Sequence, residues 1–149
     1  MYFNVIVGLI IPWILAMPLI FRHQKILVLI APIAAVLAFS IDVLGFQFDY
    51  WHIKPIHDNQ TFSALPFHLG LYAILTCYMV VLIAKQKVNP YLLIVVFALI
   101  TTILELIAVI LGRVVYSNGW SIILTYFSYL LPYFLAYMYY LLLKRLAIL

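Results

Sequence analysis

The chain has 149 residues, of which 69% are hydrophobic and only 8% charged, against roughly 25% charged in soluble domains. That much apolar surface cannot be hidden inside a soluble fold of this size, so lipid is the expected solvent for most of it. The net charge of +4 comes with neither a basic stripe nor a nucleic-acid motif. Nucleic acid is therefore not an expected partner, and the charge is read as topological.

Backbone in lipid must satisfy its own hydrogen bonds, which leaves helices or a closed barrel. The apolar runs are continuous over about 20 residues, the length a helix needs to cross the hydrocarbon, and they do not alternate with period two. The sequence thus predicts an all-α integral membrane domain, residues 1–149, built as a bundle of five transmembrane helices. The first span covers about residues 3–21. Its positive residues, Arg22 and Lys25, follow the apolar run, which suits a retained helix and not a cleaved signal peptide. The second span covers about 26–46, and a polar outer loop, 47–66, comes next. That loop contains the sequon Asn59-Gln60-Thr61, a pattern short enough to arise by chance. The third span, about 67–84, holds the single cysteine, Cys77, and stops at Lys85-Gln86-Lys87. The fourth covers about 91–112. The fifth covers about 121–143 and ends at Lys144-Arg145. Arg22, Lys25, Lys85, Lys87, Lys144 and Arg145 share one side, against Lys54 and Arg113 on the other. The positive-inside rule then puts the N-terminus outside and the C-terminus in the cytoplasm. Tyr50, Trp51, Tyr116 and Trp120 are expected in an outer aromatic belt.

All four acidic residues, Asp42, Asp49, Asp58 and Glu105, fall in the outer half or the outer loops, with His52, His57 and His68 beside them. At 1.5 Å per residue, Asp42 lies about 6 Å and Glu105 about 10 Å inside the ends of their spans. Carboxyl groups at that depth are expected to face the bundle or a wet cavity. Each sits on a stripe of small residues, Ala31, Ala35, Ala38 and Gly45 around Asp42, and Ala98, Thr101, Ala108 and Gly112 around Glu105. Such stripes let membrane helices approach closely. His68, Tyr72 and Thr76 share one face of the third span, and Arg113 is placed to partner a carboxylate. In the fifth span Tyr126, Tyr129, Tyr133, Tyr137 and Tyr140 form a phenol stripe, and Pro132 is expected to bend the helix. Trp13, deep in the first span, belongs to packing.

Two readings of this cluster stand side by side. In one, the polar groups are interhelical hydrogen bonds that hold the bundle together. In the other they form an outward-facing pocket, with Asp42, Glu105 and His68 as candidate catalytic groups and Tyr72, Thr101, Arg113, Tyr126, Tyr129 and Tyr133 as its lining. His52, His57 and Asp58 are weak metal candidates, because their spacing matches no zinc signature.

Asp42-Val43-Leu44-Gly45, Tyr50-Trp51, Leu65-Pro66, Glu105 and Asn118-Gly119-Trp120 together resemble a family of small multi-pass membrane proteins from spore-forming Gram-positive bacteria. That resemblance covers nearly the whole chain and implies topology alone, since the family has no established function. The stretch from Asp42 to Pro66 is more distantly similar to the lycopene cyclase domain. There, acidic residues after the Leu-Pro are the expected catalytic acids of polyene cyclisation. Here Phe67-His68 stands in their place, leaving Asp42 and Glu105 as the acids the resemblance implies.

Three classes of function follow. The leading expectation is a noncatalytic accessory or lipid-binding protein of a bacterial plasma membrane, partnered by membrane lipids and by further copies or a larger membrane complex. The second is a membrane enzyme acting on an isoprenoid or other lipid through Asp42 and Glu105. The third is a proton- or ion-coupled carrier working as an oligomer. No nucleophile motif, phosphate loop or cofactor signature is present, so no cofactor is expected.

Overall fold

A computed structural model describes residues 1–56, 60–85 and 88–149. His57 and Asp58 of the weak metal set, Asn59 of the sequon and Lys87 of the 3–4 loop lie outside the described residues. Among the described residues, five helices are long and apolar enough to cross a membrane: α1 Tyr2–Arg22, α2 Gln24–Gln47, α3 Thr61–Ala84, α4 Pro90–Ile110 and α5 Ile122–Arg145.

Local chemistry explains where the helices begin, end and deform. Asn89 caps α4, its side chain accepting from Tyr91 N at 2.9 Å, and Pro90 fills the first helical position, where no amide donor is needed. Gly112, at φ +66°, ends α4 in the left-handed cap that glycine favours, with Arg113 N bonded back to Ala108 O at 2.8 Å. Lys144 and Arg145 occupy the last turn of α5, where cations complement the helix dipole. The first helix carries a wider π-turn at Ile6–Ile10 just before Pro12 and a break at Ala16 before Pro18. Both are places where a proline withholds its amide from the helical ladder.

The third helix starts earlier than its sequence predicts. Leu65-Pro66 reads as a boundary because a residue before proline avoids the helical region, yet Thr61–Phe67 is helical through Pro66. A π-turn at His68–Tyr72 follows at once and carries the ladder past the missing donor. His68 therefore lies two turns inside a helix instead of at its mouth. This helix is also the hub. Its most apolar window is 56% buried, against 22–33% for the other four, and it packs against all of them.

In its N-terminal half α3 meets α1 backbone to backbone. A Cβ on Gly70 would lie 2.1 Å from Gly8 O, and one on Gly8 would lie 2.9 Å from the Phe67 ring. At the opposite end, Leu19, Ile30, Met79 and Val80 form a fully buried apolar core. Tyr133, Tyr137 and Tyr140 from α5 complete it.

A two-stranded ribbon stands outside the all-α expectation. Strand β1, Trp51–Ile53, pairs antiparallel with β2, Val114–Tyr116, in the register Trp51↔Tyr116, His52↔Val115 and Ile53↔Val114. Lys54 N to Arg113 O (2.8 Å) and Ser117 N to Tyr50 O (2.9 Å) extend the ladder at both ends. The ribbon ties the 2–3 loop to the 4–5 loop across one end of the bundle. Asn118 and Gly119, both at positive φ (47° and 74°), then form the tight turn that returns the chain to α5, closed by Trp120 N to Ser117 O at 2.9 Å.

Candidate functional site

The ribbon determines what the two carboxyl groups within the apolar helices meet. Side chains directly opposite in an antiparallel pair share a face, so Trp51 and Tyr116 both point down into the bundle. Trp51 Nε1 donates to Asp42 Oδ1 at 3.0 Å. Tyr116 Oη donates to Glu105 Oε1 at 2.6 Å. These aromatic residues, expected in a lipid-facing belt, are instead the lids of the two acids. Trp120 joins them, its ring 4.7 Å from Trp51 and 4.8 Å from Tyr50, while its Nε1 donates to Thr125 Oγ1 at 2.8 Å. An indole or phenol has an apolar body and one polar handle, and here three handles turn inward.

Asp42 is buried on α2. Its second oxygen, Oδ2, lies 2.6 Å from His68 Nε2, and His68 itself is 1% exposed. With Asp42 ionised, both Trp51 and His68 donate to it. Among the described residues His68 Nδ1 is buried with no hydrogen-bond partner, and its ring packs edge-on against Phe39. Gly45, one turn after Asp42, makes the Trp51 contact sterically feasible: a Cβ there would lie 2.0 Å from the indole. Of the stripe expected on α2, Asp42 and Gly45 are buried and Ala31, Ala35 and Ala38 only half-buried, while Ile30 and Ala34 are buried alongside them.

Glu105, half-buried on α4, is held by neutral donors. Tyr116 and Thr125 Oγ1 (3.3 Å) reach Oε1, and Tyr129 Oη donates to Oε2. Burial, then the Glu105 charge, pushes the Tyr116 phenol well above its ordinary value. Tyr116 thus stays a neutral donor at every physiological pH. Arg113 does not act as the carboxylate's ion partner. Its guanidinium stacks 4.4 Å over the Phe3 ring, and among the described residues it makes no ion pair.

Tyr72 and Tyr129 join the two halves, their hydroxyl oxygens 3.0 Å apart. Tyr133 bonds Thr101 Oγ1 at 2.6 Å, which places both expected lining residues in the same seam. Tyr126 lies off this seam, its ring edge-on to Phe127. His52 pairs with Asp49 at 2.7 Å on the ribbon's other face, away from His68. No three His, Cys, Asp or Glu side chains gather into a metal-sized group among the described residues.

Two cavities flank the seam. One of about 30 Å³ is bounded by Asp42, Tyr72, Thr76, Tyr129 and Tyr133 together with apolar residues of α2. The other, about 320 Å³, lies between α1 and α4, which flank it without packing along each other. Val7, Phe67, Leu71, Leu104 and Ala108 give it an apolar wall, and Asn4, Glu105 and Arg113 supply polar points. Asn4 is a site residue that sequence reasoning missed. It is 1% exposed and donates to Lys54 O (3.0 Å) and Ser63 O (2.8 Å), while its Oδ1 has no partner among the described residues. Its signal was present: a lone amide near the start of an otherwise apolar run.

Comparison of the chain with protein-family models, with curated proteins and with solved structures finds no match. Both resemblances therefore rest on their motifs alone.

Proposed function

We propose that this chain is a noncatalytic lipid-binding protein of a bacterial plasma membrane, its five helices spanning the bilayer with the N-terminus outside. The observation that carries the reading is the cavity between α1 and α4. At about 320 Å³ it falls within the roughly 300–1,000 Å³ range of small-molecule sites, and it has their usual character, an apolar wall with a few placed polar groups. Leu104, Ile107 and Leu111 line it and are also exposed on the bundle's outer surface, so an acyl or isoprenoid chain can enter from the bilayer. Arg113 and Glu105 stand where the polar head of such a lipid would rest.

Native mass spectrometry of the gently extracted protein tests this. The wild type should retain one lipid species at unit stoichiometry, and Ala108→Phe, which fills the cavity, should lose it while keeping the thermal transition. A wild type carrying only exchangeable bulk lipid, or an Ala108→Phe protein that keeps the species, would sink the reading. The enzymatic alternative has one specific observation in its favour, since Glu105 stands in the cavity wall and can act on what binds there. It requires that the retained lipid be chemically converted, and that Glu105→Gln abolish conversion without abolishing retention.

A further inference from the structure

We infer that the lipid held between α1 and α4 carries a phosphate monoester head, gripped by Arg113 and Lys54 at the ribbon end of the large cavity. This rests on the lipid-binding reading and names the class of lipid selected. Arg113 is the cation on the cavity wall. Its guanidinium sits 4.4 Å over the ring of Phe3, another wall residue. The ring covers one face of the guanidinium and holds it in place, while the N–H donors point out from its edge. None of those donors meets a carboxylate among the described residues, where the ion pairs are His52–Asp49 and His68–Asp42. Glu105, on the same wall, has both oxygens taken by the hydroxyls of Tyr116, Thr125 and Tyr129, so it does not claim the guanidinium.

Lys54 supplies the second charge. The ribbon register runs on from Ile53↔Val114 through the bond from Lys54 N to Arg113 O at 2.8 Å, which sets Lys54 directly opposite Arg113. Opposed residues of an antiparallel pair have Cβ atoms about 4.5–5.5 Å apart on one face, and like charges there repel. Both side chains are exposed, and Lys54 too makes no ion pair among the described residues. An oxyanion bound between them turns this repulsion into a two-sided clamp. A phosphate monoester carries about −1.5 to −2 charge at neutral pH. Its oxygens can accept the planar fork of an arginine and the point charge of a lysine together, whereas a carboxylate brings a single charge to two cations. The next ribbon pair, Ile53 and Val114, lines the cavity, so the clamp stands at the cavity's edge. A hydrocarbon chain attached to the phosphate runs from there along Leu111, Ile107 and Leu104.

Native mass spectrometry of the full-length protein in neutral detergent, titrated with dodecyl phosphate, dodecanol or inorganic phosphate, tests this. The wild type should bind one dodecyl phosphate about tenfold or more tightly than dodecanol, the worth of charge-assisted hydrogen bonds, and added salt should narrow the gap. Arg113→Gln should remove most of the preference for the phosphate while leaving dodecanol binding unchanged. Lys54→Gln should weaken dodecyl phosphate several-fold, and it decides the matter where Arg113→Gln fails to fold. Lys25→Gln, an exposed cation at the opposite end, should bind like the wild type. Equal affinity for dodecyl phosphate and dodecanol would overturn the inference, as would wild-type preference in either folded variant. Inorganic phosphate that displaces dodecyl phosphate at equal concentration would assign the cations to a free ion and overturn it too. Dodecanol bound by the wild type and lost in Ala108→Phe keeps the cavity reading whatever the head preference. A wild type that binds neither amphiphile strikes both.

Discussion

Asp42 and Glu105 carry the same functional group at similar depth, yet their surroundings differ in a way that matters chemically. Asp42 has an ionisable partner, His68, and an indole donor. Among the described residues Glu105 has hydroxyl donors alone. A buried carboxylate that loses a donor is left with an unmet desolvation cost. Gly45→Ala should therefore destabilise the protein through a residue that touches no carboxylate. Its methyl would collide with the Trp51 ring, forcing the indole out and breaking its bond to Asp42. Overpacking of this kind costs about 1–3 kcal/mol. Thermal melts in detergent should show a lower transition for Gly45→Ala than for the wild type; an unchanged transition would mean the indole can shift freely. Tyr116 gives a second residue-level prediction. Its folded-state value lies above the ordinary 10.0, so its contribution to stability is complete below that pH and is lost as pH rises beyond it. The wild type should consequently lose more stability than Tyr116→Phe between neutral pH and the strongly alkaline range. An equal loss in both would show that Tyr116 ionises as readily in the fold as in the unfolded chain.

At the scale of elements, the apolar runs made four helices legible to within a few residues, because continuous hydrophobicity over a bilayer's thickness leaves the backbone little choice. The third helix was harder. Pro66 signals a boundary by local rules, and only burial against the other helices makes it worth carrying the helix through to Thr61. The ribbon was invisible for a related reason. Three-residue strands have no periodicity to read, and each is held by a partner some 60 positions away. Without the ribbon, Trp51 and Tyr116 look like belt aromatics, so the acids could be found from sequence but their donors could not. The crossing of α1 and α3 follows the same logic, since nothing in either helix alone marks Gly8 and Gly70 as partners. Gly70→Ala should separate them, because the obstructing atom is the Gly8 carbonyl oxygen, part of the backbone, and not a flexible side chain. The loss should reach about 1–3 kcal/mol or more, accompanied by faster proteolysis of α1. Gly112→Ala is the control: its φ is unfavourable but no atom lies within 4 Å, so its effect should stay near 1 kcal/mol. If both substitutions cost the same, backbone conformation and not helix contact dominates at Gly70.

For the whole molecule, polarity is distributed in two unlike ends. The end bearing Arg22, Lys25, Lys85, Lys144 and Arg145 closes over an apolar core, whereas the ribbon end holds the acids, their donors and the two remaining described cations, Lys54 and Arg113. A bilayer with a positive-inside bias would orient such a chain with the ribbon outward. In that orientation the large cavity's polar points would lie near the outer headgroups, and lipid would be drawn from the outer leaflet. Single cysteines report this directly, because native Cys77 is 0% exposed and should stay silent. Ile56, at the ribbon end and 60% exposed, should react as Ile56→Cys with an impermeant maleimide added to intact cells. Val88, in the 3–4 connection and 42% exposed, should react as Val88→Cys only after the membrane is breached. The opposite pattern would invert the protein and turn the ribbon, the cavity mouth and the Asp42–Glu105 seam toward the cytoplasm. Any lipid it binds would then come from the inner leaflet.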